Sequence, residues 1–290
     1  MNPKRKKILI YILKIVVAGG ILAFVYNKLD TSKLQSLAKE VSLSSLLCCT
    51  FSFVLSKYFG ALRLAKFIKK AGYTISHWEN IGLYLQGMFY NLFLPGGIGG
   101  DGYKMYYLKQ KSDTALKDAF FVFFIDRISG MFSLCILAVL IAFFIDVDLI
   151  PNQKLWLIGL LISGGLSGIV IIYFLKKSFF KTFLKTFYLS FLVQISQVIG
   201  IYFVLLNFDL VKNYFEYFFL FLVSSIVSII PITPGGLGLR ELTYHEGAKY
   251  FGTSENIGVM IGTVFFTITF IVSFAGIYYH FTSDVKPNEG

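Results

Sequence analysis

Charged residues are scarce in this chain of 290 residues: only 15% are Asp, Glu, Lys or Arg, whereas 56% are hydrophobic. So small a polar fraction cannot cover the surface of a soluble globule of this size. The sequence therefore excludes an ordinary soluble protein and predicts an integral membrane protein. Because no stretch has the composition of a separate soluble domain, we treat residues 1–290 as a single membrane domain.

Cysteine and histidine are also rare, with three residues of each. Two of the cysteines, Cys48 and Cys49, are adjacent, and no pair has the CxxC spacing of a zinc site. The histidines have no Cys or His partner at metal-ligand spacing. These absences exclude a disulfide framework, and we expect neither a metal site nor a cofactor.

Acidic residues are outnumbered by Lys and Arg, 16 to 27, which gives a formal charge of +11. An excess of this sign would suit nucleic acid, but the basic residues cluster between apolar runs, as they do in cytoplasmic loops. Basic loops also attract anionic lipids. We therefore attribute the charge to topology, predict no nucleic-acid partner, and expect membrane lipids with an anionic or phosphate-bearing headgroup as partners.

Long apolar runs dominate what is present, and a helix needs about 20 such residues to cross a bilayer. The runs expected to cross are 8–26, 41–60, 119–145, 155–175, 186–207 and 256–280. Two further runs, 81–94 and 214–230, each end at a proline followed by a glycine-rich motif. We predict an all-α, polytopic membrane helix bundle with about six crossings plus two re-entrant glycine-rich segments, eight apolar elements in total.

The distribution of Lys and Arg bears on this topology, since these residues concentrate on the cytoplasmic side. An excess of basic residues on one side arises only if the first short run enters the membrane and returns to the same face. The same count is satisfied whether residues 214–230 cross fully or are re-entrant, so the second run stays open. We expect a multi-pass protein of the cytoplasmic (inner) membrane with its N-terminus in the cytoplasm.

The glycine-rich motif occurs twice, as "LPGGIGGDGYK" at 94–104 and as "PGGLG" at 234–238. Two re-entrant motifs separated by three crossings would enter from opposite faces and form an inverted repeat with a shared site near the midplane. We therefore predict repeat halves at 41–145 and 155–280. Between the first crossing of the repeat and the first motif, residues 57–80 interleave basic and apolar residues at helical spacing, which predicts an amphipathic segment along the cytoplasmic interface.

Irregular backbone at membrane depth leaves N–H groups unpaired unless protein or a watery cavity satisfies them. A helix that starts after each motif would direct free N–H groups and the positive end of its dipole into such a cavity, where they could hold a phosphate or carboxylate. Close helix packing is the alternative use of these glycines. The glycines concerned are Gly96, Gly97, Gly99, Gly100, Gly235, Gly236 and Gly238.

The charges near the motifs favour a binding site. Asp101 and Arg240 occupy equivalent positions, each six residues after the proline of its motif, and we expect them to meet across the pseudo-twofold axis. Asp126 and Arg127 lie well inside an apolar run, where ionisable residues indicate function. Arg127 is the best candidate for a phosphate contact, because its planar guanidinium matches phosphate oxygens. The alternative is an internal ion pair of Arg127 with Asp101 or Glu241.

Three ordered segments, "LPGGIGGDGYK", "DRISG" at 126–130 and "PITPGGLGLRE" at 231–241, resemble the hallmark segments of the lysylphosphatidylglycerol synthase transmembrane-region family, also called flippase-like membrane proteins. The chain looks like a stand-alone member without the aminoacyl-transferase domain. The resemblance implicates Asp101, Asp126, Arg127, Arg240 and Glu241, together with the glycines of both turns. Lys104 stands where many members have Arg, which would weaken bidentate phosphate recognition there.

The resemblance implies a lipid translocase and not an enzyme, moving a phospholipid or a polyprenyl-phosphate-linked lipid across the cytoplasmic membrane. Two other functions stay open. An intramembrane enzyme, such as a glycosyl or acyl transferase, would use Asp101 and Asp126 as its acids. A small-solute or ion transporter would be served equally well by an inverted repeat with broken helices. The sequence leaves the oligomeric state open and is compatible with a homo-oligomer.

Overall fold

The computed structural model describes residues 16, 31–93, 99–111, 116–145, 151–208, 213–230, 233 and 236–282. Ten helices lie in these ranges, and no strand occurs in them. They are α1 (Thr31–Glu40), α2 (Leu43–Lys70), α3 (His77–Phe93), α4 (Gly99–Lys111), α5 (Leu116–Ala142), α6 (Gln153–Leu175), α7 (Lys177–Leu205), α8 (Tyr214–Val227), α9 (Leu239–Phe251) and α10 (Glu255–Thr282).

Five of these helices are long and apolar enough to span a bilayer, so the predicted all-α membrane bundle is confirmed. The five are α2, α5, α6, α7 and α10, and they coincide with five of the six runs expected to cross. The remaining run, 8–26, lies outside the described residues except for Val16. The total of six crossings therefore stays a prediction.

Four of the shorter helices form two hairpins. The first hairpin is α3 and α4, with 17 and 13 residues, and the second is α8 and α9, with 14 and 13 residues. At about 1.5 Å per residue, these helices are shorter than the hydrocarbon core of about 30 Å. The partners of each hairpin pack against one another. The described residues of the two glycine motifs lie at or just before the start of α4 and of α9, and the re-entrant topology of the two hairpins stays a prediction.

Residues 57–80 do not form the single amphipathic segment that we predicted. Residues 57–70 continue α2 without a break, and a turn at Gly72, with φ of +90°, separates α2 from α3. The side chain of Arg63 faces the interior and only 5% of the residue is exposed, so the expectation of an interfacial position is wrong for Arg63. The lysines at the end of α2, in contrast, are exposed.

Three long helices, α2, α5 and α7, carry polar residues between two apolar clusters. One cluster contains Phe53 of α2 and Leu134 of α5, and the other contains Phe67 of α2 and Phe123 of α5. Between them lies a polar layer, which we define as Ser56, Lys57, Arg63, Asp126, Arg127, Ser129, Ser190, Gln194 and Gln197. The apolar clusters fix the three helices relative to one another, and the polar layer is thereby held at mid-length in the bundle.

The base of the first hairpin is closed by Glu79 of α3. Its carboxylate accepts a hydrogen bond from Tyr107 Oη at 2.7 Å and forms an ion pair with Lys111, both on α4. Partial burial alone would raise the pKa of Glu79, but the hydrogen bonds from Lys111 and Tyr107 outweigh it and hold this pKa below its ordinary value. These contacts fix how far α4 extends along α3, and hence where Asp101 lies.

Candidate functional site

A cavity of about 400 Å³ lies between the polar layer and the two hairpins. Helices α2, α3, α4, α5, α8 and α9 all contribute residues to its wall. Seven charged side chains line it, namely Lys57, Arg63, Lys104, Arg127, Arg240, Asp101 and Asp126. Its uncharged polar lining consists of Tyr84, Asn91, Ser225, Ser228 and Thr233. The structure thus brings residues from both hairpins to one chamber in an apolar bundle.

The deepest ion pair of the cavity joins α2 to α5. Arg63 donates from Nε to Asp126 Oδ1 at 2.7 Å and from Nη2 to Asp126 Oδ2 at 3.1 Å, a bidentate arrangement. Its remaining terminal nitrogen donates to Ser190 Oγ at 2.9 Å, and Ser190 is hydrogen-bonded to Ser129 at 2.7 Å. Both charged side chains are almost fully buried. This geometry makes Asp126 a structural partner of Arg63 and not a free acid.

A second cluster of charged residues joins α4 to α5 at the start of α4, the second helix of the first hairpin. Asp101 accepts hydrogen bonds from Arg127 Nε and, at 3.2 Å, from Lys104 Nζ. The carboxylate lies in the first turn of α4, where the helix dipole also stabilises a negative charge. Of the two partners that the sequence allowed for Arg127, the structure selects Asp101. The Arg127 side chain nevertheless stays 42% exposed.

The expected contact between Asp101 and Arg240 is wrong. Both residues line the cavity, but no ion pair joins them in the part of the chain that is described. Arg240 Nη1 instead donates to Ser225 Oγ at 3.0 Å, and its guanidinium lies 4.8 Å from the centroid of the Phe265 ring. Arg240 thus has hydroxyl and aromatic partners, and Glu241, whose charge acts on it, forms no ion pair with it within the described residues.

The helix starts at the two motifs are capped by side chains of the protein itself. Gly100 N–H, at the start of α4, donates to Asn91 Oδ1 at 2.9 Å. Gly238 N–H, just before α9, donates to Glu241 Oε2 at 2.9 Å. Glu241 is only 1% exposed and does not line the cavity, so we correct its predicted place in the binding site to that of a helix cap. One backbone donor at each motif is thereby occupied.

The glycines serve backbone geometry as much as binding. Gly236 and Gly238 have φ of +77° and +83°, which side chains rarely adopt, and Gly236 lines the cavity. Gly99 begins α4, and the backbone of Gly100 lies against that of α3. The other predicted binding glycines, Gly96, Gly97 and Gly235, lie outside the described residues.

Several residues of the cavity are not among the site residues predicted from the sequence, including Lys57, Arg63 and Asn91. Lys57 and Arg63 were assigned to an interfacial face because basic residues recur between 57 and 70 at helical spacing. Asn91 is a polar residue near the end of the apolar run 81–94, and that position was the one indication of a function. Which side of α2 faces the interior becomes evident only from Asp126 on α5, whose carboxylate binds Arg63.

Charge and volume together define what the cavity can hold. Five basic and two acidic residues line it, an excess of three formal positive charges in apolar surroundings. Such a site stabilises an anion, since uncompensated charges are costly in this environment. Asp101 and Asp126 each contact cations and are not arranged as a pair of acids that share a proton. No group of three metal-ligating side chains occurs within the described ranges.

The fold and the cavity define a multi-pass membrane protein with a charged interior site. A sequence model described as the lysylphosphatidylglycerol synthase TM region matches residues 11–183 and 176–276. The chain therefore belongs to this family, which confirms the resemblance of the three segments. Membership is consistent with a lipid-related role in the membrane. A search of curated proteins gives no match.

Proposed function

We propose that this protein is a lipid translocase, which moves a phospholipid or a polyprenyl-phosphate-linked lipid across the cytoplasmic membrane. The observation that supports the proposal is the cavity itself, where cations from both hairpins surround one polar chamber within an apolar bundle. Moving a phosphate unaided through hydrocarbon is prohibitively unfavourable. A chamber lined by cations lowers this barrier for the headgroup while the acyl or prenyl tails stay in the bilayer.

Two arginines have the clearest role in holding the headgroup. Arg127 belongs to α5 and Arg240 to α9, so they approach the chamber from different elements. The phosphate competes with Asp101 for Arg127 and displaces the weaker hydroxyl partners of Arg240. In this mechanism the ion pair of Arg127 and Asp101 closes the chamber before the substrate binds, and the phosphate of the substrate opens the chamber by breaking this ion pair.

The two hairpins are proposed to act as the moving walls. The first supplies Asp101 and Lys104, and the second supplies Ser225 and Arg240. In inverted-repeat transporters one repeat rocks against the other around a fixed site. We propose the same motion here, with the polar layer of α2, α5 and α7 as the fixed part. In the proposed orientation, the N-terminus lies in the cytoplasm.

The test is a proteoliposome assay with headgroup-labelled lipids. We expect Arg127→Ala and Arg240→Ala each to lower the translocation rate roughly tenfold or more, since each removes a charge-assisted hydrogen bond to the phosphate. Lys117→Ala on α5 and Lys249→Ala on α9 are matched controls, because both lysines are exposed and lie outside the cavity. The controls should retain the wild-type rate.

Equal rates in all five proteins would contradict the proposal, as would the absence of movement for a broad panel of lipids. Assays on the same vesicles distinguish the two alternative functions, solute transport and intramembrane catalysis. Uptake of a water-soluble solute without lipid movement would indicate a solute transporter. Formation of a product from a lipid-linked donor, abolished by Asp101→Asn, would indicate an intramembrane enzyme.

A further inference from the structure

Only some of the basic side chains of the cavity form ion pairs with its two acids. Arg63, Lys104 and Arg127 contact the two acids of the cavity. Lys57 and Arg240 have no carboxylate within 4.0 Å in the part of the chain that the structure describes. Their contacts are aromatic or hydroxylic: Lys57 Nζ lies 4.2 Å from the centroid of the Phe53 ring, and Arg240 donates to serine hydroxyls. The chamber therefore holds two basic side chains that form no ion pair with an acid of the described residues.

Neutral hydrogen-bonding groups line the same chamber. Among them are Ser228 and Ser225, which accepts a hydrogen bond from Arg240. Thr233, which is 6% exposed, also lines it, and its Oγ1 has no hydrogen-bond partner among the described groups. A buried hydroxyl without a partner costs free energy unless a ligand supplies one. A phosphate oxygen can accept from the Thr233 hydroxyl while its charge meets Lys57 and Arg240.

A positive charge on Lys57 is unfavourable at this position, because the side chain is removed from solvent and the charges of Arg240 and Arg63 repel it. An anion beside Lys57 offsets both effects. A ligand with a single negative charge would offset one of the two unpaired cations, and a zwitterion would leave the net charge unchanged. A ligand with two negative charges neutralises both. Its binding is correspondingly stronger in a chamber within an apolar bundle, where charges are screened less than in bulk water.

We infer that Lys57, Arg240 and Thr233 form a phosphate subsite, and that the cavity selects lipids whose headgroup carries at least two negative charges. The chemical class is a lipid phosphomonoester or diphosphate. Lipids with a singly charged phosphodiester or with a zwitterionic headgroup bind less well. This inference rests on the proposed lipid-binding role of the cavity and narrows it to one substrate class.

The test measures binding separately from translocation. Purified full-length protein in detergent micelles at pH 7 is titrated with three dioctanoyl lipids by calorimetry: phosphatidic acid, phosphatidylglycerol and phosphatidylcholine. At this pH the phosphomonoester carries close to two negative charges, because its second pKa is about 6. We expect phosphatidic acid to bind roughly tenfold tighter than phosphatidylglycerol, and phosphatidylcholine to bind most weakly.

Variants of Lys57 connect this preference to the subsite. Lys57→Gln is expected to remove most of the tenfold difference by weakening phosphatidic acid alone, whereas Lys57→Arg keeps the charge and should preserve the difference. Lys66→Gln is the matched control, since Lys66 is an exposed residue on the same helix that does not line this cavity. The Lys57→Arg variant also distinguishes a lost charge from a lost fold.

A final arm separates a lipid from a soluble phosphate. Glycerol 3-phosphate and inorganic phosphate are added as competitors, and a lipid site predicts that both compete much more weakly than phosphatidic acid. Equal competition would assign the subsite to a soluble phosphate and overturn the lipid class. Equal or tighter binding of phosphatidylglycerol would overturn the inference while the translocase proposal stands. Selective binding without any translocation would support the subsite and remove the translocase.

Discussion

Replacing Asp126 with alanine is expected to lower the free energy of unfolding by about 3–5 kcal/mol, the usual cost of leaving a buried charge without its partner. Arg63 makes two of its three observed hydrogen bonds to this carboxylate, and the third goes to Ser190, which is uncharged. Water reaches little of the pair, because the side chains are 6% and 11% exposed. The substitution therefore leaves a guanidinium uncompensated between two apolar clusters.

The matched control removes both charges at once. An apolar pair of similar volume, Arg63→Met with Asp126→Leu, should be less destabilising than Asp126→Ala alone, since no unpaired ion then remains. The measurement is the midpoint of thermal unfolding in detergent for wild type, the single variant and the double variant. A double variant that is less stable than the single one would show that the ion pair itself, and not the burial of an unpaired charge, sets the stability.

Replacing Gly100 with alanine is expected to open the first hairpin and to destabilise the protein by about 1–3 kcal/mol or more, as overpacking does in a close-packed interior. A Cβ at this position would lie 2.0 Å from the carbonyl oxygen of Gly87 on α3 and 2.9 Å from Cγ of Asn91. A backbone carbonyl within a helix cannot rotate away. Relief requires α4 to move, and Asp101 and Lys104 move with it, so translocation should fall as well.

The same helix offers a control two residues away. A Cβ added at Gly102 meets no heavy atom within 4 Å, so Gly102→Ala should be neutral or slightly stabilising, because alanine favours the helix. Unfolding midpoints and translocation rates of both variants provide the comparison. Similar behaviour of the two variants would mean that close contact at Gly100 is not what positions α4.

The sequence was sufficient to predict the elements that depend on local hydrophobicity. Runs such as 119–145 and 155–175 emerge as α5 and α6 because about 20 consecutive apolar residues have few alternatives to a membrane helix. The glycine motifs were equally visible, since proline and glycine together interrupt a helix whatever lies around them. The apolar composition thus predicted the all-α class, and the proline and glycine motifs predicted where the two helices of each hairpin are separated.

The pairing of charges was beyond sequence analysis. Arg63 resembles the other basic residues near the end of α2, and only the opposing carboxylate of Asp126 on α5 distinguishes it. The family resemblance implied a place in the binding site for Glu241, but its carboxylate caps α9. Contacts between elements far apart in the chain decide both cases.

The Arg240 guanidinium is the point where the fold and the proposed function meet. It follows the second glycine motif, faces the chamber shared with the first hairpin, and lacks a carboxylate partner within the described residues. Its hydrogen-bond partners are the hydroxyls of Ser224 and Ser225. Hydroxyl partners are easily exchanged for phosphate oxygens.

The most direct measurement is native mass spectrometry of protein released from mild detergent, with the bound lipids identified by fragmentation. Wild type and Lys249→Gln, which alters an exposed lysine of the same helix, should retain a lipid with a phosphate-bearing headgroup, and Arg240→Gln should lose most of it. Equal lipid occupancy in the three proteins, or bound lipids without phosphate, would contradict a phosphate-binding chamber between the two glycine motifs.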